Sequence, residues 1–79
     1  MSKVIGFVLW WSDRDENGVI EDAQGNEYYF DRSTVCSSYK GNIKRNDIVE
    51  FKKDRVSSLL CGKSVSLYTK ATGELDGSN

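Results

Sequence analysis

Apolar and polar positions along the first thirty residues change with the short period of β-strands. Val4 to Trp11 is almost wholly apolar, β-branched or aromatic, and the polar stretch Ser12-Asp13-Arg14-Asp15-Glu16-Asn17-Gly18 ends in a turn-forming Asn-Gly pair. Val19-Ile20-Glu21-Asp22 then reads as a short second strand. Ala23-Gln24-Gly25-Asn26 reads as a Gly-containing turn, and the aromatic-rich Glu27 to Phe30 as a third strand. Alternation along that third strand sends Tyr28 and Phe30 inward and Tyr29 outward. From Arg32 to Asp47 the periodicity is lost among Ser, Lys, Gly and Asn, which predicts a long crossing loop. Ile48-Val49-Glu50-Phe51-Lys52 and Lys63-Ser64-Val65-Ser66-Leu67-Tyr68 alternate again as strands four and five, with a variable loop between them. Residues 1–69 form one domain on this reading, and 70–79, nearly devoid of apolar side chains, a flexible tail.

Five short strands with the longest connection between the third and fourth match the layout of a small barrel, either oligonucleotide-binding (OB) or SH3-like. At 79 residues there is room for one modest core. No apolar run approaches the roughly 20 residues of a membrane span, and the N-terminus lacks the apolar core of a secretory signal, so the expected location is cytoplasmic, away from membranes. Two cysteines, Cys36 and Cys61, with no histidine anywhere, remove most zinc and cysteine–histidine chemistry. Free thiols are the expectation in a reducing compartment, and neither a metal nor a cofactor is expected. Gly62-Lys63-Ser64 matches only the end of a phosphate-binding loop, since Ser57 stands where the upstream glycine is required. Nothing in the chain assembles a nucleophile with a base, so an enzyme is not expected.

The run Gly6-Phe7-Val8-Leu9-Trp10-Trp11-Ser12, then Gly18-Val19-Ile20, then Tyr28-Tyr29-Phe30-Asp31-Arg32-Ser33 resembles the first three strands of the bacterial cold-shock domain. There the pattern runs Gly-x-Val-Lys-Trp-Phe-Asn, Lys-Gly-Phe-Gly-Phe-Ile and Asp-Val-Phe-Val-His-Phe-Ser. Arg45-Asn46-Asp47-Ile48-Val49-Glu50-Phe51 is similar to the family's fourth strand, and the resemblance covers about residues 4 to 68. It implies an all-β fold, a small five-stranded antiparallel OB-fold barrel of cold-shock type. It also implies binding of single-stranded RNA or DNA, with a role as RNA chaperone or regulator of gene expression. Trp10 and Tyr29 fall on the family's ligand-facing aromatic positions, Trp11 on the neighbouring one, and Arg32 on a ring position where a guanidinium plane can stack on a base.

Other family positions have changed. Asn17 and Val19 replace two stacking rings, Asp15 replaces a lysine, and Asp31 replaces a histidine. Loss of two or three rings, at roughly 1–3 kcal/mol per stacked base, predicts micromolar or poorer affinity.

Charge is unevenly placed although the net value is only −1. Residues 1–39 carry three basic and seven acidic side chains, a balance of −4, whereas 40–70 carry eight basic and three acidic, a balance of +5. Lys40, Lys44, Lys52, Lys53 and Lys63, on or near the two long loops, are the expected phosphate contacts, with salt-dependent binding. The alternative partner is a protein. Asp15, Glu16 and Asp31 beside exposed rings make an acidic, aromatic face suited to a basic protein surface, in which case the barrel is an interaction module that has lost nucleic-acid binding.

Overall fold

The computed structural model describes residues 3–68; the tail assigned to 70–79 lies outside the described residues. Five strands, β1 (Val4–Ser12), β2 (Asn17–Asp22), β3 (Glu27–Asp31), β4 (Ile48–Val56) and β5 (Leu59–Leu67), close into a barrel in the order β1-β2-β3-β5-β4, with β4 returning to β1. The all-β, OB-like expectation is met with one correction. β3 and β5 run parallel, joined at Tyr29 and Cys61, while every other pair is antiparallel. No helix among the described residues is long and apolar enough to cross a membrane.

Inward positions follow the alternation. Val8, Ile20, Tyr28, Phe30, Phe51 and Val65 meet in the core, each at most 4% exposed. The two buried tyrosines cannot leave their hydroxyls unsatisfied, and each donates to a carboxylate: Tyr28 to Asp22 at 2.8 Å and Tyr39 to Asp47 at 2.6 Å. The second bond anchors the crossing loop. Asp47 also accepts the Lys44 N–H, and the loop backbone pairs with Val8 on β1 through the Val8 N–H to Asp47 and the Asn46 N–H to Val8. Within this loop Arg32–Thr34 makes one turn of 3-10 helix, capped by Asp31, and Val35 bridges to Val65.

Two sequence expectations shift. Asn17-Gly18 lies inside β2, opposite Ser12 and Trp11, and the turn falls earlier, with Glu16 in the left-handed conformation at φ 60°. Gly18 serves close approach instead: a Cβ there would lie 2.3 Å from the Trp10 carbonyl oxygen. The second shift concerns the variable loop between strands four and five, which is strand almost throughout. β4 and β5 pair as far as Val56 and Leu59 around a two-residue turn at Ser57-Ser58, whereas β1 pairs with β4 only up to Phe51. The hairpin therefore extends past the β1 edge, and Lys53 and Arg55 sit on β4 and not in a loop.

Candidate functional site

A register shift in β1 creates the site. Val8 pairs with Ile20 and faces the core, so strict alternation would turn Trp10 inward as well. The extra residue, Leu9, forms a bulge that reverses the facing, and Trp10 emerges 44% exposed while Trp11 turns inward. Trp10 is then level with Val19 on β2, Val19 with Tyr29 on β3, and Tyr29 with Cys61 on β5. Paired residues share a face, so this is one outward row crossing four strands. Tyr29 is 52% exposed and Val19 only 4%, as befits a small side chain between two large rings.

The neighbouring row holds Asn17 and its partner Asp31, with Lys63 two residues beyond Cys61 and Lys52 opposite Lys63. Between the rows runs a groove of about 410 Å³, lined by Trp10, Asp15, Asn17, Tyr29, Asp31 and Lys63, with Val56 and Cys61 at one side. The Lys63 ammonium lies 2.9 Å from the Asp54 carboxylate. That hydrogen bond holds the Asp54 carboxyl below the ordinary carboxylate range and raises the Lys63 ammonium above its own.

The predicted site residues are therefore only partly brought together. Trp10, Tyr29 and Lys63 line the groove, and Lys52 is the register neighbour of Lys63. Trp11 instead packs on Phe30, ring centroids 5.2 Å apart, and donates its indole N–H to Asp13 at 2.8 Å. Arg32 lies over the Trp11 ring at 5.4 Å and donates to the Lys40 carbonyl at 2.6 Å. Asp13 and Glu16 stand 3.9 and 3.6 Å from its guanidinium. It thus ties the β1–β2 turn to the crossing loop, and one face of its plane packs on a protein ring. Lys40 and Lys44 belong to that loop, whereas Lys53 lines a second depression of about 270 Å³ with Lys3, Asp22 and Tyr28. The basic half of the sequence thus divides between separate places.

Asp15, Asn17 and Asp31 join the site as groove walls; the sequence marked all three as departures from the nucleic-acid-binding pattern, and Asp15 and Asp31 also as part of an acidic, aromatic face. The signal was present in the strand period, since Asn17 alternates with Val19 and Asp31 with Tyr29. Among the described residues, no three or more metal-ligating side chains gather, and Cys36 and Cys61 are free, half-buried thiols. A scan of the chain against protein-family models finds no match, and a search among curated proteins likewise finds none.

Proposed function

We propose that this protein is a non-catalytic binding module of cold-shock type that takes single-stranded RNA or DNA, weakly, in the groove between Trp10 and Tyr29. The observation that supports it most is the pair of large rings, each about half exposed, on one outward row of an OB-like barrel. Soluble domains expose single aromatics freely, but two in register beside a groove make a stacking platform. Two stacked bases at roughly 1–3 kcal/mol each reach only about tens of millimolar to tens of micromolar affinity before any phosphate contact is added. Lys63 shares its charge with Asp54, and Lys52 stands beside it, so about two phosphates at most are neutralised. The slope of log K against log salt is accordingly about −1.4 or shallower. By the same resemblance, the cellular work is RNA chaperoning or control of gene expression.

The test is intrinsic fluorescence during titration with short oligonucleotides at two salt concentrations. The expected result is salt-sensitive quenching that Trp10→Ala and Tyr29→Ala each abolish. A second reading, a protein-interaction module, draws on Asp15 and Asp31 in the groove wall, which repel phosphate and suit a basic protein segment. Absence of quenching by any oligonucleotide at high micromolar concentration favours that reading.

A further inference from the structure

We infer that the groove selects bases carrying exocyclic amino groups, guanine, cytosine and adenine, over thymine and uracil. This rests on the nucleic-acid reading above and concerns what the walls beside the rings will accept.

Trp10 and Tyr29 stand two strands apart, about 10 Å, and Asp31 follows Tyr29 on the same face by about 7 Å along β3. The row of Asn17 and Asp31 therefore lies within reach of the hydrogen-bonding edge of a base stacked on either ring. The polar atoms of that row are mostly acceptors. Asp31 Oδ1 takes the Ser33 N–H at 3.0 Å and the Ser33 hydroxyl at 2.6 Å, and its side chain also caps the Thr34 N–H, so this carboxylate is partly engaged but keeps unused lone pairs and its full negative charge. Asp15 uses its backbone N–H on Ser12, and its exposed carboxylate is without a donor among the described residues. Asn17 contributes one more acceptor together with an amide N–H2. Among the described residues the cation lining the groove is Lys63, whose charge is offset by the Asp54 carboxylate that takes one of its N–H donors.

Acceptor-rich walls need donors from the ligand. Cytosine offers its N4 amino group and adenine its N6 amino group. Guanine offers adjacent N1–H and N2–H2 groups that match both oxygens of a carboxylate. Thymine and uracil hold their single N–H between two carbonyls, so a carboxylate that takes it faces an acceptor on either side, whereas the amino groups sit at the end of their edge. The preference thus has an attractive part and a repulsive part.

The experiment compares heptamers of cytosine, adenine, thymine and alternating guanine–thymine against the full chain, read by tryptophan quenching. At the lower end of carboxylate–base discrimination, cytosine, adenine and guanine–thymine strands bind about fivefold or more tightly than thymine. Asp31→Asn keeps the cap, because Asn caps as well as Asp, and removes one negative charge. It should strengthen thymine binding and narrow the gap, a change that simple loss of folding does not produce. Thymine binding equal to or tighter than the others overturns the preference and leaves the nucleic-acid reading standing. Quenching by none of the four overturns both.

Discussion

Replacing Asp22 by Asn tests the polar knot that closes one end of the barrel. The Asp22 carboxylate accepts four hydrogen bonds: from the N–H groups of Gln24 and Asn26, both at 2.9 Å, from the Asn26 amide at 3.1 Å, and from the Tyr28 hydroxyl at 2.8 Å. Burial by itself would raise its pKa, but these donors outweigh it, the Asn26 backbone foremost, and bring the group down from 3.8 to about 2. Fully converted, that shift is worth about 2.5 kcal/mol. The knot adjoins the depression shared with Lys3 and Lys53, where water screens part of the interaction, so about 1–2 kcal/mol is the working figure. Because the folded-state pKa lies below the unfolded one, the stabilisation is complete above about pH 4 and disappears as pH falls through about 2.

Asn at this position retains an acceptor for the backbone donors but places an N–H2 group where Tyr28 and Asn26 donate. Urea unfolding of both proteins, followed by tryptophan fluorescence at pH 7, 4 and 2, should show Asp22→Asn less stable by about 1–2 kcal/mol at neutral pH. The gap should shrink toward pH 2. A gap of equal size at pH 7 and pH 2, or none at pH 7, refutes the assignment of stability to the ionised carboxylate.

Gly18→Ala should destabilise the fold by about 1–3 kcal/mol in the same assay and disturb tryptophan emission, because its Cβ meets the Trp10 carbonyl at 2.3 Å and the Trp11 Cα at 3.1 Å, backbone atoms that cannot step aside. Ser57→Gly should raise stability by about 0.5–1 kcal/mol in thermal unfolding, since Ser57 holds φ 58° at the first position of a two-residue hairpin turn that favours glycine. An unchanged or lower midpoint contradicts that strain. For the binding surface, Trp11→Phe should keep the oligonucleotide response that Trp10→Ala loses, because the Trp11 ring packs inward on Phe30. Equal loss in both variants contradicts the division of the two tryptophans.

Alternation along the chain was sufficient to identify five strands and to place Tyr28 and Phe30 inside with Tyr29 outside, because the facing of a strand residue is a local property of the backbone. The same local rule misjudged Asn17-Gly18 as a turn, since the demand on Gly18 comes from the Trp10 carbonyl on another strand. It also stopped strands four and five short. Lys53 to Gly62 has little periodicity of its own and is strand because two segments find each other across the Ser57-Ser58 turn. Trp10 faces outward beyond a core-facing Val8 only through the bulge at Leu9, which exists where β1 changes register on β2. Arg32 and Trp11 do not line the groove, for a similar reason. Each has the chemistry to meet a base, and which partner it meets was decided by Phe30, Asp13, Glu16 and the Lys40 carbonyl, brought together by the closed barrel. Strand identity and facing thus belong to neighbours in the chain, whereas the groove, its acceptor-rich wall and the dispersal of its lysines belong to contacts between residues far apart in it.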